Sequence, residues 1–328
     1  MLKSHLSFKR IVSAGLILLI GVGLALALGE QDSRALSTLP EGRVQQVTGQ
    51  PAGPNLIAVV DDHAANGTMA LYRSQDGGES WLVAGTLPLT SVQALALSPV
   101  NVDILAAASA SQIVYTADGG QTWHELTTDF AALNATDAQI NALAIDGRNS
   151  QRLYVGTTQG LFEFDGGALV RSADDTLGST AVTALLTPRD NLGAIYAGTP
   201  RGLYTDLGDG WVRVAGVAAP VSGLLESNGT LLAATGSNGL YRSIDGGRTW
   251  TVLPEQLGVQ PGVTVDVTAL SADLTRPGVL YAATAYWFGS TERHLTPGSI
   301  YISLDYGSRW EPMVDSDGQA IIAPARVN

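Results

Sequence analysis

The sequence predicts an all-β propeller, most simply six four-stranded blades, on three observations. One type of turn frame recurs along the chain, it recurs at the period of a blade, and the text on either side of it reads as short apolar strands. The composition agrees: 328 residues, 45 % hydrophobic, with 38 glycines and only 15 % charged side chains, suit one large domain of many short strands and tight turns.

Four segments carry the full frame Ser/Thr-x-Asp-x-Gly-x-x-Trp. They are Ser74, Asp76, Gly78 and Trp81; Thr116, Asp118, Gly120 and Trp123; Ser243, Asp245, Gly247 and Trp250; and Ser303, Asp305, Gly307 and Trp310. Two more keep part of it: Asp206, Gly208 and Trp211 lack the hydroxyl, and Asp165 with Gly167 lack both hydroxyl and tryptophan. Successive aspartates are 42, 47, 41, 39 and 60 residues apart, the spacing of four-stranded blades. The frame suits a turn between a third and an outermost strand. A short carboxylate is expected to accept from backbone N–H groups two and three residues on. Glycine permits positive φ, and tryptophan covers the adjoining strand. These aspartates are therefore structural, and six blades hold them too far apart to converge.

The strands follow in order. The first unit has LIAVVDD (56–62), MALYRSQD (69–76) and a strand after Trp81. Its inner strand is either RVQQVT (43–48) or the C-terminal QAIIAPA (319–325); the second is favoured, since it matches later inner strands better and would clip the chain end onto the first blade. The second unit reads VQALALSP (92–99), ILAAAS (104–109), IVYTAD (113–118) and TWHELT (122–127). The third reads INALAID, RLYVGTT and GLFEFD; the fourth VTALLTP, AIYAGTP and GLYTD; the fifth VSGLLE, LLAATG and GLYRSID; the sixth VTALSAD, VLYAATA and SIYISLD. Such runs of small and β-branched apolar residues fit sheets covered on both faces. Sharing residues 42–328 among six blades gives about 48 each and leaves open a seventh, degenerate blade.

Residues 1–29 read as a signal peptide or signal anchor. Lys3, Lys9 and Arg10 precede the uncharged run 11–28, and Glu30 and Asp32 follow it, which directs the rest of the chain outward. The run is longer than an ordinary cleavable signal core and close to a membrane span, so both outcomes stay open. Residues 30–41 read as a linker. The expected location is extracytoplasmic, secreted or held by residues 11–28. Cysteine is absent, which excludes a disulfide, a thiolate nucleophile and a Cys-ligated metal. A net charge of −12 repels nucleic acid. No cofactor motif occurs, and the propeller is expected to be monomeric.

In each blade, the box turns and the turns after the first strand share one face. The links between blades and the turns after the second strand share the other, where a ligand is expected. Two turns on that face exceed the rest: AYWFGSTERHLTPG (285–298) and DDHAANGT (61–68), neighbours in a closed six-blade ring. They offer a candidate set of Tyr286, Trp287, Phe288, Glu292, Arg293, His294, Asp61, Asp62 and His63. Aromatics flanked by polar groups suit a sugar ring or a protein surface; no metal-ligand spacing is present. The link 124–139 adds Asp129, Phe130 and Asp137.

The frame resembles the Asp-box (BNR) repeat of sialidase-like propellers. That resemblance implies glycoside chemistry only where an arginine cluster, an Arg-Ile-Pro signature, a Tyr/Glu pair and an aspartate acid are present. Here the one Arg-Ile is Arg10-Ile11, and the inner strands read as almost wholly Ala, Leu, Val and Ile. Larger xyloglucan-degrading propellers of similar repeats use two propellers, and this chain has one. The chain is equally similar to non-catalytic members, including the photosystem-assembly (Ycf48-like) type. The expectation is an extracytoplasmic, non-enzymatic binding or scaffold propeller for a glycan or protein partner. The alternatives are a sialidase-like glycoside hydrolase and an assembly factor for a membrane complex.

Overall fold

The computed structural model describes residues 43–49, 54–61, 69–78, 80–126, 128–172, 176–236, 239–253, 257, 264–273, 276–288, 294–315 and 317–323. They form six four-stranded antiparallel sheets arranged in a ring, a six-bladed β-propeller, with no helix among the described residues. Blade one is β1 (Arg43–Gly49), β2 (Leu56–Asp61), β3 (Met69–Ser74) and β4 (Leu82–Leu87). Blade two is β5 (Ala94–Leu97), β6 (Leu105–Ala108), β7 (Ile113–Thr116) and β8 (His124–Leu126). Blade three is β9 (Ile140–Ile145), β10 (Arg152–Thr157), β11 (Gly160–Asp165) and β12 (Leu169–Arg171). Blade four is β13 (Ala184–Leu186), β14 (Ile195–Thr199), β15 (Gly202–Asp206) and β16 (Trp211–Arg213). Blade five is β17 (Val221–Ser227), β18 (Thr230–Thr235), β19 (Leu240–Ser243) and β20 (Thr251–Val252). Blade six is β21 (Thr264–Ala272), β22 (Leu280–Phe288), β23 (His294–Ser303) and β24 (Glu311–Pro312). Residues 1–29, read from the sequence as a signal peptide or signal anchor, and the expected linker 30–41 lie outside the described residues.

Packing follows from the apolar runs. The second strands β6, β14 and β18 are buried at every position, so each is covered on both faces by neighbouring blades. Ile57, Val59 and Leu71 of blade one share a core with Leu95, Leu105 and Val114 of blade two. Small residues meet large ones at the next seam, where Ala106 and Ala108 face Phe162 and Phe130. Burying one such Val, Leu or Phe side chain contributes about 1.5–3 kcal/mol. Polar side chains then latch blade to blade on the box side. Arg73 donates to Asp103 and to the Val102 carbonyl, each at 2.8 Å; Tyr196 donates to the Gly246 carbonyl at 2.7 Å; Arg242 donates to the Tyr306 carbonyl at 2.7 Å.

The Asp-boxes close by a longer reach than expected. Asp76, Asp118, Asp245 and Asp305 accept from the backbone N–H four residues on, at 2.8–2.9 Å, rather than two and three residues on. The gap is spanned by the Ser or Thr hydroxyl. It donates to the carboxylate and accepts from the N–H of the frame glycine, as Ser74 does from Gly78 at 2.8 Å. Trp81, Trp250 and Trp310 donate back to that glycine's carbonyl. Without the hydroxyl, Asp206 takes N–H bonds from Gly208 and Gly210 itself. Asp165 accepts from the Asn149 side chain instead, at 3.3 Å.

Ring closure differs from the favoured reading. The inner strand of blade one is β1, with Val47 opposite Ala58, so each blade consists of consecutive chain. The C-terminal stretch lies along blade six: Ile300 N–H donates to the Ile321 carbonyl at 2.9 Å and Ala323 N–H to the Gly298 carbonyl at 2.7 Å. The reason is an open edge. β24 pairs with only Tyr301 and Ile302, leaving the earlier part of β23 for the tail to cover. Ala323 is thereby buried with Tyr281, Ala283, Ile300 and Met313.

Candidate functional site

The inner strands bring a polar ring to the propeller axis. At or near the start of each runs a buried or half-buried Val or Ile, then a polar residue, then a small one, except blade one, where Gln46 stands in the third place. The polar residue sits where the register slips, so that two inner-strand residues oppose one on the second strand. The pairing skips Gln45, Asn141, Ser222 and Thr268. In blades two and four, Gln93 and Thr183 direct their N–H groups to the Ala108 and Gly198 carbonyls, beside the pairs Ala94–Ala108 and Ala184–Gly198. A bulge re-aims the side chain it carries. The polar exceptions in these almost wholly apolar strands are thus the residues that face the axis, a placement the sequence reading did not make. The missed signal was periodic: Val-Gln-Ala, Ile-Asn-Ala, Val-Thr-Ala and Val-Ser-Gly repeat a single polar letter.

These residues also tie blade to blade. Asn141 Nδ2 donates to the Val182 carbonyl at 3.1 Å, Thr183 Oγ1 to the Val221 carbonyl at 2.6 Å, and Ser222 Oγ to the Val267 carbonyl at 3.1 Å. Each acceptor immediately precedes the next polar residue, so the bonds step around the ring from blade three to blade six. Thr268 turns to the Ala283 carbonyl of its own blade, at 3.3 Å.

Inside this arc lies an open cavity of about 600 Å³. Gln93, Gln139, Asn141, Thr183 and Ser222 line it with amides and hydroxyls, and Pro200 and Pro220 add apolar walls. Its rim passes Gly236, beside which sits the Asp266 carboxylate; a Cβ on that glycine would lie 3.5 Å from Asp266 Oδ1. The cavity opens on the link face, away from the Asp-boxes.

The residues singled out from the two long turns are distributed as follows. The stretch 285–298 is largely strand rather than loop: β22 and β23 continue as a hairpin, with Tyr286 opposite Thr296, Trp287 opposite Leu295 and Phe288 opposite His294. Tyr286 packs against the core between blades five and six, and its hydroxyl is 3.3 Å from that of Tyr301. Burial and that contact push the Tyr301 phenol well above its usual range. Asp61 ends β2 opposite Arg43. Asp62, His63, Glu292 and Arg293 lie outside the described residues, as do the side chains of Trp287, Phe288 and His294. In the long link, Phe130 is buried edge-on to Phe162 at 5.2 Å, and Asp129 caps the turn by accepting from Ala132 N–H. That leaves Asp137, in a left-handed turn, on the surface.

Comparison with known proteins agrees with this architecture. A BNR/Asp-box repeat family description matches residues 114–125, the second box with its flanking strands. A curated xyloglucanase from Paenibacillus sp is 26 % identical over 279 residues, covering 76 % of this chain and 25 % of that protein. The crystal structure of a GH74 xyloglucanase from Xanthomonas campestris superposes with a TM-score of 0.57 at 18 % identity, over 84 % of this chain and 46 % of that one. YCF48 bound to D1 peptide superposes with a TM-score of 0.54 at 15 % identity, over 84 % and 82 %. The chain therefore spans a quarter of the curated xyloglucanase and about half of the solved one. The chain is thus a six-bladed β-propeller whose second box matches the BNR/Asp-box repeat.

Proposed function

We propose that the protein is an exported, non-enzymatic binding propeller that receives a glycan or protein partner on its link face, over the axial cavity. The observation that carries this reading is the arc of neutral hydrogen-bonding groups around that cavity, set on rigid strands between two proline walls. The β22–β23 hairpin rises on the same face, so Trp287 and Phe288 are proposed to flank the same ligand, with Asp61 on the rim of blade one. Export rests on the basic residues 3–10 followed by the apolar run 11–28. Both partner classes have support among the neighbours, one a xyloglucanase and one solved with a bound peptide.

A second reading, glycoside hydrolysis, is favoured by the sequence match to the Paenibacillus xyloglucanase. Two carboxyls flanking a scissile bond would be needed. Incubating the full chain with xyloglucan and with aryl-glycosides, a sialoside included, separates the readings. The binding reading expects no new reducing ends or released aglycone, and retention of a glycan or peptide that Trp287→Ala and Asn141→Ala weaken. Turnover abolished by Asp62→Asn or Glu292→Gln would replace it with the hydrolase.

A further inference from the structure

The hydroxyls of the axial arc have spent their protons, while the amides of Gln93, Gln139 and Asn141 bring both donors and acceptors. A hydroxyl carries one hydrogen and two acceptor lone pairs. Thr183 commits its hydrogen to the Val221 carbonyl, with the Gly198 carbonyl also within reach at 3.0 Å, and Ser222 commits its own to the Val267 carbonyl, with that of Ala234 at 3.4 Å. Both residues are nonetheless exposed to the cavity, so toward a ligand each can only accept. Asn141 has given one of its two amide hydrogens to the Val182 carbonyl and keeps its side-chain oxygen. Behind the Gly236 rim lies the Asp266 carboxylate, its Oδ1 buried, on a chain of net charge −12. Two accept-only hydroxyls and three amide oxygens thus line a space that Pro200 and Pro220 wall with hydrocarbon.

We infer that the axial cavity takes a protonated primary amine on an aliphatic stem, the lysine side chain of a protein partner. An ammonium group brings three donors and no acceptor, which complements oxygens that can only accept. Its methylenes suit the proline walls, and its charge suits the field of the acidic chain. The cavity's hydroxyls already bond to the protein, so they are held in place and need no reorganisation on binding. The inference rests on the axial cavity being the binding site, as proposed above, and adds the chemistry of what enters it.

The test is calorimetric titration of the full chain with acetyl-Gly-Gly-Lys-Gly-Gly-amide. Its acetyl-lysine and norleucine counterparts and a xyloglucan heptasaccharide are titrated in parallel. The lysine peptide is expected to bind at least tenfold tighter than either counterpart, and more weakly as salt is raised. Thr183→Val, which removes an accepting oxygen at nearly constant volume, should weaken it several-fold, and Thr183→Ser should restore it. Ser222→Ala gives a second reading should Thr183→Val fail to fold. Equal affinity for the lysine and acetyl-lysine peptides overturns the inference. If the heptasaccharide alone binds and responds to Thr183→Val, the amine chemistry falls while the axial site stands. If every probe is indifferent to both variants, the axial site falls as well.

Discussion

Thr183 and Val221, 38 residues apart and in adjacent blades, are joined by a hydrogen bond of 2.6 Å from the threonine Oγ1 to the valine carbonyl. The bond couples fold and site. It holds two inner strands at a fixed offset, and it commits the hydrogen of a hydroxyl on a residue that lines the axial cavity.

Replacing Thr183 by valine should therefore cost stability as well as ligand. Loss of one such bond, with the Val221 carbonyl left to find water, is expected to destabilise by about 1–2 kcal/mol. The midpoint of urea denaturation measures it. A variant as stable as the parent would show that the blades are set by apolar packing alone.

Gln46 occupies the place that Ala94, Ala142, Ala184, Gly223 and Ala269 hold in the other blades. Its Oε1 is buried and has no hydrogen-bond partner among the described residues. A buried polar atom left unsatisfied costs about 1–3 kcal/mol. Gln46→Met, close in volume and free of the carbonyl, is expected to raise the denaturation midpoint by an amount of about 1 kcal/mol. A lower midpoint would mean that the amide is needed where it lies.

The Asp-boxes predict acid sensitivity with a definite sign. At Asp245 the Thr249 hydroxyl and N–H, with the Ser243 hydroxyl, hold the carboxyl at about 2, below its ordinary 3.8. At Asp76 partial desolvation pulls upward but is outweighed by the Ser80 and Ser74 bonds, which bring it to about 2. Asp118 is lowered in the same way, chiefly by Thr122. Depressed carboxyls stabilise the fold fully above their unfolded value and lose that contribution as pH falls through the folded one. Stability should hold down to about pH 4 and fall between there and about pH 2. Asp245→Asn should be less stable at neutral pH and show a shallower fall, read from thermal midpoints across that range.

The relocated tail gives an independent check. Ending the chain at Asp317 removes the stretch that covers β23, so the amides of Ile300 and its neighbours should exchange faster while those of β1 and β2 keep their protection. Removing the tail's contacts, including buried Ala323, is expected to cost about 1–3 kcal/mol. Loss of protection in β1 and β2 would restore the tail to blade one.

Much of this architecture is written locally. Ser74, Asp76, Gly78 and Trp81 make one turn from eight residues, and three further full repeats at blade spacing announce the ring. Strand identity is legible too, because runs such as Leu105–Ala108 have no polar face. Closure was not legible, since an edge on β23 becomes visible only when β24 proves too short to cover it. The axial ring was hidden for a related reason. Thr183 lies within an apolar run, and only the bulge, a property of pairing with β14, turns it inward. The hairpin at Tyr286 reads as a loop in one dimension because its tip interrupts two strands that pair across it.

The most direct test of the central claim is the location of the footprint. Hydrogen exchange is measured on the full chain with and without saturating acetyl-Gly-Gly-Lys-Gly-Gly-amide. Protection is expected at the starts of the inner strands, around Gln93, Asn141, Thr183 and Ser222, with the Asp-box turns unchanged. Protection confined to the turns at Asp76, Asp118, Asp245 and Asp305 would contradict the account and move the binding face to the opposite side of the propeller.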